Sequence, residues 1–345
     1  MRLLPRQAEE RKLKKEQRST WKKKAALLRA YAQGRPVWIS WQVTYLCNFE
    51  CVFCDYWSFP VDRSKETSPA GFRSAGQKLA KLGSFMISLA GGEPFIRQDL
   101  EAIVEALSAY HFPLLTTNGW LVTPERARRL YEAGLWGASV SIDFATPEKH
   151  DAYRGKQGAF ERAVRALRSF SEARCAAHQQ VNLITVLNDQ NISEVEDLIK
   201  LAAAHQAGFM IQPYGMMKTG EARFLHRGEV SSYLLGLKRR YPNFLSNPIF
   251  LEKFDLALRQ GVRNCRAGKS FFNIDHYGNV SICVENLNDP VGNIHTHSAR
   301  DLFAALAEKQ RGNTCTACWY NCRGEIESLY TVRGIAASLP RLVTA

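Results

Sequence analysis

The sequence lacks the features of a membrane-spanning, secreted or disordered protein. No apolar run approaches the ~20 residues of a spanning helix, and the charged N-terminus lacks the apolar core of a secretion signal. Hydrophobic residues make up 46% of the 345 residues, which argues against global disorder. We therefore expect a cytoplasmic protein with one large domain and a smaller one.

Disulfides are also not expected, although the chain has nine cysteines. Without an export signal, such cysteines are typical of reduced thiols that serve a metal or catalysis. Cys47, Cys51 and Cys54 lie within eight residues, in CNFECVFC. Structural zinc takes four ligands, and a disulfide or a redox dithiol takes two. A set of three thiols is either incomplete or open to a further ligand.

Positive charge is concentrated at the N-terminus. The formal net charge is +13, and residues 1–24 contain ten Lys and Arg against three Glu, a local charge of +7. We interpret residues 1–35 as a basic N-terminal arm. It is either a solvated helical segment or a tether, through residues 1–24, to an anionic membrane surface or an acidic partner, which would make the protein peripheral at the membrane. Nucleic acid is not an expected partner, because no RNA-binding fold is appended.

Past Pro36, short apolar runs alternate with amphipathic helical patterns. The predicted strands are 37–44, 85–90, 113–117, 138–143, 181–187 and 209–212. Six strand–helix alternations predict a parallel sheet with right-handed crossovers. The predicted fold class is α/β, with a partial (β/α)6 TIM-like barrel over residues 36–261 and an active site at the carboxyl ends of the strands.

Three predicted helices have sequence signals. Leu100, Ile103, Val104 and Leu107 share one face of a predicted helix. Thr123-Pro124 is a favourable N-cap and first-position pair, and Ser193-Glu194-Val195-Glu196 is typical of a capping box.

Polar or glycine-rich clusters follow five successive predicted strands. The first strand is followed by the three-cysteine loop, and the others by Gly91-Gly92-Glu93-Pro94, Thr117-Asn118-Gly119, Ser141-Ile142-Asp143 and Asn188-Asp189. Because the carboxyl ends of parallel strands meet at one edge of the sheet, these clusters are expected to form one site.

The CxxxCxxC pattern after the first strand and the GGEP pattern after the second resemble the radical S-adenosylmethionine (SAM) superfamily, over about residues 37–215. The resemblance implies a [4Fe-4S] cluster on Cys47, Cys51 and Cys54, whose fourth iron is left for SAM. In that family, an electron from the cluster cleaves SAM to a 5′-deoxyadenosyl radical. A zinc knuckle that lacks one ligand and three unrelated core cysteines are the alternatives.

The same resemblance implies cofactor-binding roles at the other strand ends. Phe53 would pack on adenine, Gly91 and Gly92 would let the backbone approach SAM, and Glu93 would accept from its ammonium group. Ser141 and Asp143 would hold the ribose and Arg154 the carboxylate, with Asn118 and Asn188 as weaker candidates and Gln212 or Tyr214 as further cavity residues. Core packing for Phe53, a surface ion pair for Arg154 and a turn for each Asn are the alternatives. Phe144 stands where family members often have glycine.

The cysteine pattern changes after residue 261. Cys265 and Cys283 flank Gly278, and TCTACWYNC contributes Cys315, Cys318 and Cys322. Residues 262–345 thus resemble a SPASM/twitch-type auxiliary cluster domain. A full SPASM domain has seven cysteines and two auxiliary clusters, whereas these five suit one auxiliary [4Fe-4S] cluster, with one cysteine to spare. Structural zinc is the alternative, and Cys175 is interpreted as a packed thiol.

The resemblance implies a radical SAM enzyme that abstracts hydrogen from an unknown substrate, in an oxidative or coupling modification. The substrate could be a peptide, a small alcohol or sugar, or a lipid. About 36 residues before the first strand are too few for a leader-binding domain, so a peptide substrate would need a separate recognition protein. The expected reductant is flavodoxin or ferredoxin, and no catalytic residue is assigned beyond the cluster. A non-catalytic iron–sulfur electron-transfer or scaffold protein is the alternative.

Overall fold

Six parallel strands, each followed by a helical segment, build the first part of the molecule in the computed structural model, which describes residues 20–344. The strands are β1 (Trp38–Thr44), β2 (Met86–Gly91), β3 (Phe112–Thr117), β4 (Gly137–Ser141), β5 (Gln180–Leu187) and β6 (Gly208–Pro213). They pair in chain order, each parallel to the next. The predicted α/β fold and its six strands are therefore confirmed, with bounds that differ by one or two residues.

Alternation along each strand separates a packed face from an open one. On β1, Ile39, Trp41 and Val43 are fully buried and belong to the hydrophobic core beneath the helices. The residues between them, Ser40 and Gln42, line an internal cavity. A barrel interior is ordinarily filled by bulky branched side chains. Small and polar residues at the inward positions leave this interior open.

Helices lie between the strands and after them along the chain. The described helix at 20–32 is α1; the others are α2 (Pro69–Ala80), α3 (Leu100–Ser108), α4 (Pro124–Glu132), α5 (Pro147–Arg154), α6 (Ala159–Ala173), α7 (Val195–Ala204), α8 (Ser231–Arg240), α9 (Pro248–Glu252), α10 (Phe254–Arg259), α11 (Ala299–Arg311), α12 (Asn321–Ser328) and α13 (Val332–Thr344). The apolar face predicted for α3 is buried, and Thr123 caps α4 through the N–H of Arg126.

Two local predictions are wrong. Ser193 lies in a 3₁₀ turn, Ile192–Glu194, and α7 begins after it without a side-chain cap. Glu194 instead accepts hydrogen bonds from the N–H of Thr146 and from Lys149 Nζ, so it ties α7 to the start of α5. Cys175 lies beyond the end of α6 and is exposed, so it is not a packed thiol.

The C-terminal part continues the same sheet. The strand β7 (Phe271–Ile274) pairs parallel with the free edge of β1. A hairpin through β8 (Asn279–Ser281) and the short β9 (Gly292–Asn293) follows, so the sheet order is β6-β5-β4-β3-β2-β1-β7-β8-β9. The sheet is continuous across the predicted domain boundary at residues 261 and 262, and that boundary stays a prediction.

The helix α1 packs near the amino ends of the strands. Lys23 Nζ donates to the carbonyl of Ser108 at the end of α3, and Ala30 is buried. Trp21 and Leu28 are exposed, and Leu28 also lies at the barrel cavity. Residues 1–19 of the predicted arm lie outside the described residues. Within residues 20–344, no helix is long and apolar enough to cross a membrane.

Candidate functional site

The barrel cavity is the central feature of the site. Its volume is 1230 Å³, and the loop after β1, the carboxyl ends of the strands and helix α12 contribute to its wall. Its inward-facing polar side chains come from alternate strand positions and include Ser40, Gln42, Ser88, Ser139, Asn182 and Gln212. A cavity of this size exceeds what one small ligand needs.

The cysteine loop is held against the end of β2 by two backbone contacts. The N–H of Gly92 donates to the carbonyl of Thr44 over 2.9 Å, and the N–H of Glu93 donates to the carbonyl of Leu46 over 2.8 Å. A Cβ at Gly91 would lie 2.0 Å from the Thr44 carbonyl oxygen, and one at Gly92 would lie 2.1 Å from that of Leu46. Only glycine permits this approach, which places the chain directly before Cys47.

Glu93 is buried beneath this junction. Its carboxylate accepts hydrogen bonds from the N–H of Phe95, the hydroxyl of Thr117 and the N–H of Asn118. Burial nevertheless raises the pKa of Glu93, against the opposing effect of those donors. The side chain thereby joins the ends of β2 and β3, and its predicted contact with an ammonium group stays a prediction.

The three thiols of the loop influence one another and are shielded from water. Burial raises the pKa of Cys47 to about 12 and that of Cys51 to about 11, and it also raises the pKa of Cys54. Two cations oppose this effect, Arg154 at Cys51 and Lys218 at Cys54. A group that binds thiolates would displace protons from these thiols and would meet compensating positive charge.

Arg154 forms a buried ion pair instead of the surface pair considered as an alternative. Its Nη2 atom lies 2.6 Å from Oδ2 of Asp143, and Nη1 lies 4.0 Å from Cys51 Sγ. The other carboxylate oxygen of Asp143 accepts from the N–H of Val186. Asp143 is fully buried, whereas Arg154 lines the cavity, so the carboxylate orients the guanidinium.

Aromatic side chains surround the cysteine loop. Phe53 stacks on Tyr153 with ring centroids 4.8 Å apart, and the Arg154 guanidinium lies over it. Phe144, at the position where glycine was expected, packs edge-on against Tyr153 and is buried. Both phenylalanines therefore belong to one aromatic shell with the cysteines. Phe53 also lines the cavity, and its predicted contact with adenine stays a prediction.

The other predicted residues divide into two groups. Ser141, Asn118, Gln212 and Tyr214 line the cavity. Asn118 also donates to Asn48 Oδ1 and accepts from the N–H of Trp120, so it is both a turn residue and a cavity residue. Asn188 is fully buried and accepts from the N–H of Gln190. Asn188 therefore forms a turn, which was the alternative to a cofactor-binding role for this residue.

Sequence reasoning missed a charged pair beside the cysteine loop. Lys218 Nζ lies 2.9 Å from Oε1 of Glu285 and 3.6 Å from the ring centroid of Tyr56. Lys218 follows β6, and Glu285 follows Cys283, so the pair connects the barrel with the C-terminal part. The side-chain amide of Asn321, beside Cys322, is shielded from solvent and has no hydrogen-bond partner among the described residues. No local pattern in the sequence marks these residues.

Four of the five C-terminal cysteines are electrostatically coupled. Burial raises the pKa of Cys283 to about 11 and that of Cys318 to about 12, and it raises those of Cys265 and Cys322. The negative charges of Cys265 and Cys283 also raise the pKa of Cys318, and those of Cys318 and Cys283 also raise the pKa of Cys322. Cys322 also lines the barrel cavity. These electrostatic effects link Cys283 with Cys265, Cys318 and Cys322, and they link Cys318 with Cys265.

The cysteine groups differ from a site for a single metal ion. Among residues 20–344, no three Cys, His, Asp or Glu side chains lie close enough together to hold one metal ion. A four-iron cluster is a larger body than one ion and is held by thiolates that stand farther apart. We name the close backbone approach at Gly91 and Gly92 the glycine seat. A four-iron cluster would fit the three loop thiols on this seat, with the cations Arg154 and Lys218 nearby.

Comparison with known proteins identifies the first part of the chain. Residues 41–202 match the Radical SAM superfamily. They form a radical SAM domain. The protein is thus a radical SAM enzyme, and the family's cofactors are a [4Fe-4S] cluster and SAM. The non-catalytic alternative is not supported.

Curated relatives extend beyond the radical SAM domain. Mycofactocin maturase MftC of Mycolicibacterium smegmatis is 29% identical over 308 residues, which cover 84% of this chain and 77% of the relative. An AdoMet-dependent heme synthase of Methanosarcina barkeri is 35% identical over 176 residues, or 48% of this chain and 47% of the synthase. The chain therefore matches most of the maturase but only about half of the synthase.

Solved structures share the fold of the radical SAM domain. SuiB of Streptococcus suis bound to SAM has a TM-score of 0.63 and 16% identity, over 78% of this chain and 66% of SuiB. The enzyme anSMEcpe with bound AdoMet has a TM-score of 0.62 and 17% identity, over 89% of this chain and 98% of anSMEcpe. At these identities the likeness shows the fold alone, and it confirms the partial barrel.

Proposed function

We propose that this radical SAM enzyme holds its catalytic cluster on Cys47, Cys51 and Cys54 and modifies a peptide in the barrel cavity. The observation that carries the proposal is the placement of the three thiols. They lie on one loop at the cavity wall, on a seat that only glycine permits, with Arg154 and Lys218 nearby. When bound, the cluster and SAM would supply reductive cleavage of the sulfonium and hydrogen abstraction from the substrate.

The chain's own residues would bind SAM and orient it. The stack of Phe53 on Tyr153 offers a flat apolar surface suited to adenine, and Ser141 offers a hydroxyl to a ribose. Asp143 holds Arg154 so that its guanidinium faces the cavity, where it can pair with a carboxylate. The aromatic shell around the loop excludes water from the reacting atoms.

A peptide is the favoured substrate class. The relative that matches most of the chain is a maturase, and SuiB has been crystallised with its precursor peptide SuiA. The cavity volume of 1230 Å³ exceeds what SAM alone would fill. The side-chain amide of Asn321, with a free donor and a free acceptor, suits the backbone of a peptide.

We further propose that Cys265, Cys283, Cys318 and Cys322 bind one auxiliary [4Fe-4S] cluster and that Cys315 is the spare cysteine. The supporting observation is that Cys318 is affected electrostatically by Cys265 and Cys283, and Cys322 by Cys318 and Cys283. Cys322 lines the same cavity as the cysteine loop, and Lys218 affects both Cys54 and Cys322, so these residues would place the auxiliary cluster beside the cavity. This position suits a second electron acceptor for an oxidation of the substrate.

The proposal is tested with Cys51→Ala. The anaerobically reconstituted enzyme should convert SAM to 5′-deoxyadenosine with dithionite, and the variant should lose this activity because two thiolates cannot hold the cluster. Product is measured by liquid chromatography. Cys175→Ala, at an exposed cysteine outside both sets, is the matched control and should retain full activity. Undiminished cleavage in Cys51→Ala would refute the assignment.

A further inference from the structure

The barrel cavity also reaches the amino ends of the strands. Its wall includes the first residues of five strands, which are Trp38, Met86, Phe112, Gln180 and Gly208. Helix α1 and the segments before β5 and β6 complete the wall there with exposed residues, which are Leu28, Ala177, Ala203 and Gln206. We name the opening formed by these four residues the amino mouth. The cavity therefore passes through the barrel, from the cysteine loop to the amino mouth.

Two cations line the cavity at the amino mouth. Lys24 Nζ, on α1, lies 5.7 Å from the ring centroid of Trp136, which directly precedes β4. Arg174, directly after α6, donates from Nη2 to Oε1 of Gln206 over 3.4 Å. Lys24 and Arg174 thus stand at two different sides of the opening.

The charge of the cavity wall is unbalanced. Lys24, Arg154, Arg174 and Lys218 are basic, whereas Glu325 is the one acidic residue that the described part of the chain contributes to this wall. The Glu325 carboxylate already accepts a hydrogen bond from the N–H of Asn247. A cavity lined mostly by one sign of charge attracts ligands of the other sign. The wall therefore favours an anionic ligand.

Polar groups along the wall suit the backbone of a peptide. Asn182 is the strand partner of Gly208, and both line the cavity. Asn182 is only 6% exposed, and its Oδ1 atom has no hydrogen-bond partner among the described residues. It can accept from an N–H of a ligand, which the alkyl chain of a fatty acid does not offer.

The length of the strands sets the length of the ligand segment. The strand β1 has seven residues between the amino and carboxyl sides of the sheet. At ~3.3 Å per residue, a peptide of about seven extended residues would span the same distance. A longer peptide would therefore contact the cysteine loop and the amino mouth at the same time.

We propose that an acidic peptide segment passes through the barrel and that Lys24 and Arg174 bind its carboxylates at the amino mouth. The inference rests on the proposed function, because it extends the peptide of that proposal along the whole cavity. Contacts at the amino mouth would hold a distant part of the peptide beside the cysteine loop. Binding energy from a remote part of a substrate positions the reacting part in this way.

The first test measures peptide binding to the reconstituted enzyme by calorimetry. The probe is a synthetic peptide rich in Gly and Ser with an Asp-rich end, and its neutral counterpart has Asn in place of Asp. Lys24→Glu and Arg174→Glu reverse the charge at the amino mouth. Arg165→Glu makes the same change at an exposed residue of α6 outside the cavity wall and is the matched control.

The unmodified enzyme should bind the acidic peptide about tenfold more tightly than the neutral one, because the two cations attract its carboxylates. Lys24→Glu and Arg174→Glu should each remove this preference, whereas Arg165→Glu should keep it. Added salt should weaken binding of the acidic peptide and leave the neutral peptide unaffected.

A second pair of variants tests the opening itself. Ala203→Trp places a large side chain in the wall of the amino mouth, while Ala204→Trp places one at the next residue of α7, which is exposed and outside the wall. Ala203→Trp should weaken binding of both peptides about tenfold, because it narrows the passage that both must enter. Ala204→Trp should bind both peptides as the unmodified enzyme does.

Cross-linking locates the acidic end of the peptide. An acidic peptide with benzoylphenylalanine beside its Asp residues is irradiated on the unmodified enzyme, and the cross-links are mapped by mass spectrometry. They should form with residues of the amino mouth, such as Leu28 or Gln206. Cross-links at Trp57, on the side of the cysteine loop, would contradict the proposed direction of binding.

Three further outcomes would overturn the inference. They are equal affinity of the unmodified enzyme for the two peptides, the same loss of preference in Arg165→Glu, and unchanged binding in Ala203→Trp. Myristate that binds more tightly than the acidic peptide, and loses affinity in Lys24→Glu, would overturn the peptide and assign the mouth to a fatty acid. Failure of SAM cleavage in the unmodified enzyme would refute the proposed function alone, because peptide binding and cross-linking need no cleavage.

Discussion

At the scale of single residues, the structure joins two side chains that the sequence treats separately. Asp143 and Arg154 were predicted to contact different parts of SAM, yet they form one ion pair of 2.6 Å. A fully buried carboxylate requires a partner, and the guanidinium supplies it. Asp143 is therefore a positioning residue for Arg154, and its predicted contact with ribose stays a prediction.

Replacing Asp143 tests that role. Asp143→Asn should lower the free energy of unfolding by about 3 kcal/mol, because the buried guanidinium loses its counter-ion. Urea denaturation measures the change. Glu172→Gln removes an exposed pair with Arg168 and should have a much smaller effect. The double variant Asp143→Asn/Arg154→Met should lose less than the sum of its single variants. An additive loss would contradict the coupling.

At the scale of elements, two junctions hold the parts of the site in register. The glycine seat places the end of β2 against the chain that leads to Cys47. At the amino end of β3, the Nε2 atom of the buried His111 ring forms a hydrogen bond with the carbonyl of Gly76. This hydrogen bond connects β3 with α2. Each junction depends on a residue whose replacement has a specific physical cost.

The glycine seat predicts a loss of cluster binding in Gly92→Ala. Its methyl group would lie 2.1 Å from the carbonyl oxygen of Leu46, so the backbone before Cys47 must move. We expect the reconstituted variant to lose the iron and the visible absorbance of the loop cluster. Gly236→Ala lies in α8, where the nearest atom is 4.0 Å from the new Cβ, and should bind iron normally. Equal iron content in the two variants would contradict the seat.

His111 predicts a pH dependence of stability. Burial lowers its pKa from the ordinary 6.5 to about 4. The unfolded chain therefore binds a proton that the folded protein does not bind between those values. Stability from this group is complete above pH 6.5 and falls by about 3 kcal/mol as the pH falls to 4.

Denaturation of the unmodified protein and of His111→Gln at several pH values checks this prediction. Glutamine keeps a donor for the Gly76 carbonyl but does not titrate. The variant should therefore lose less stability than the unmodified protein between pH 6.5 and 4. Parallel curves would show that the protonation of His111 is not responsible.

At the scale of the whole molecule, one sheet connects two groups of thiols. The strand β7 extends the barrel at β1, and Cys322 of the C-terminal group lines the cavity that the loop cysteines face. The ion pair of Lys218 and Glu285 spans the two parts. The basic segment 1–24 is compatible with an anionic membrane or an acidic partner, and exposed Trp21 and Leu28 on α1 favour a surface role, which stays a prediction.

Two cysteine groups predict two clusters for each chain. Iron and sulfide analysis should give about eight of each, four for every cluster. Cys318→Ala should lose about half of that iron, whereas the control Cys315→Ala should keep all of it, because Cys315 is proposed as the spare cysteine. Equal iron loss in both variants would contradict that choice, and zinc retained in place of iron would refute the auxiliary cluster.

The sequence by itself determined what depends on local order. Alternation within short apolar runs determined the six strands, and the spacing of Cys47, Cys51 and Cys54 determined the open cluster motif, since both are set by neighbours in the chain. Thr123 and Pro124 marked the start of a helix for the same reason. The capping box at Ser193 failed because Ser193 lies in a 3₁₀ turn and Glu196 accepts a hydrogen bond from the distant hydroxyl of Tyr241.

Only the tertiary structure decided which distant residues meet. Phe144 fills an aromatic shell, the ion pair between Lys218 and Glu285 crosses 67 positions of sequence, and four of five C-terminal thiols come together. These contacts depend on packing and on charge compensation inside the fold, which no local pattern encodes.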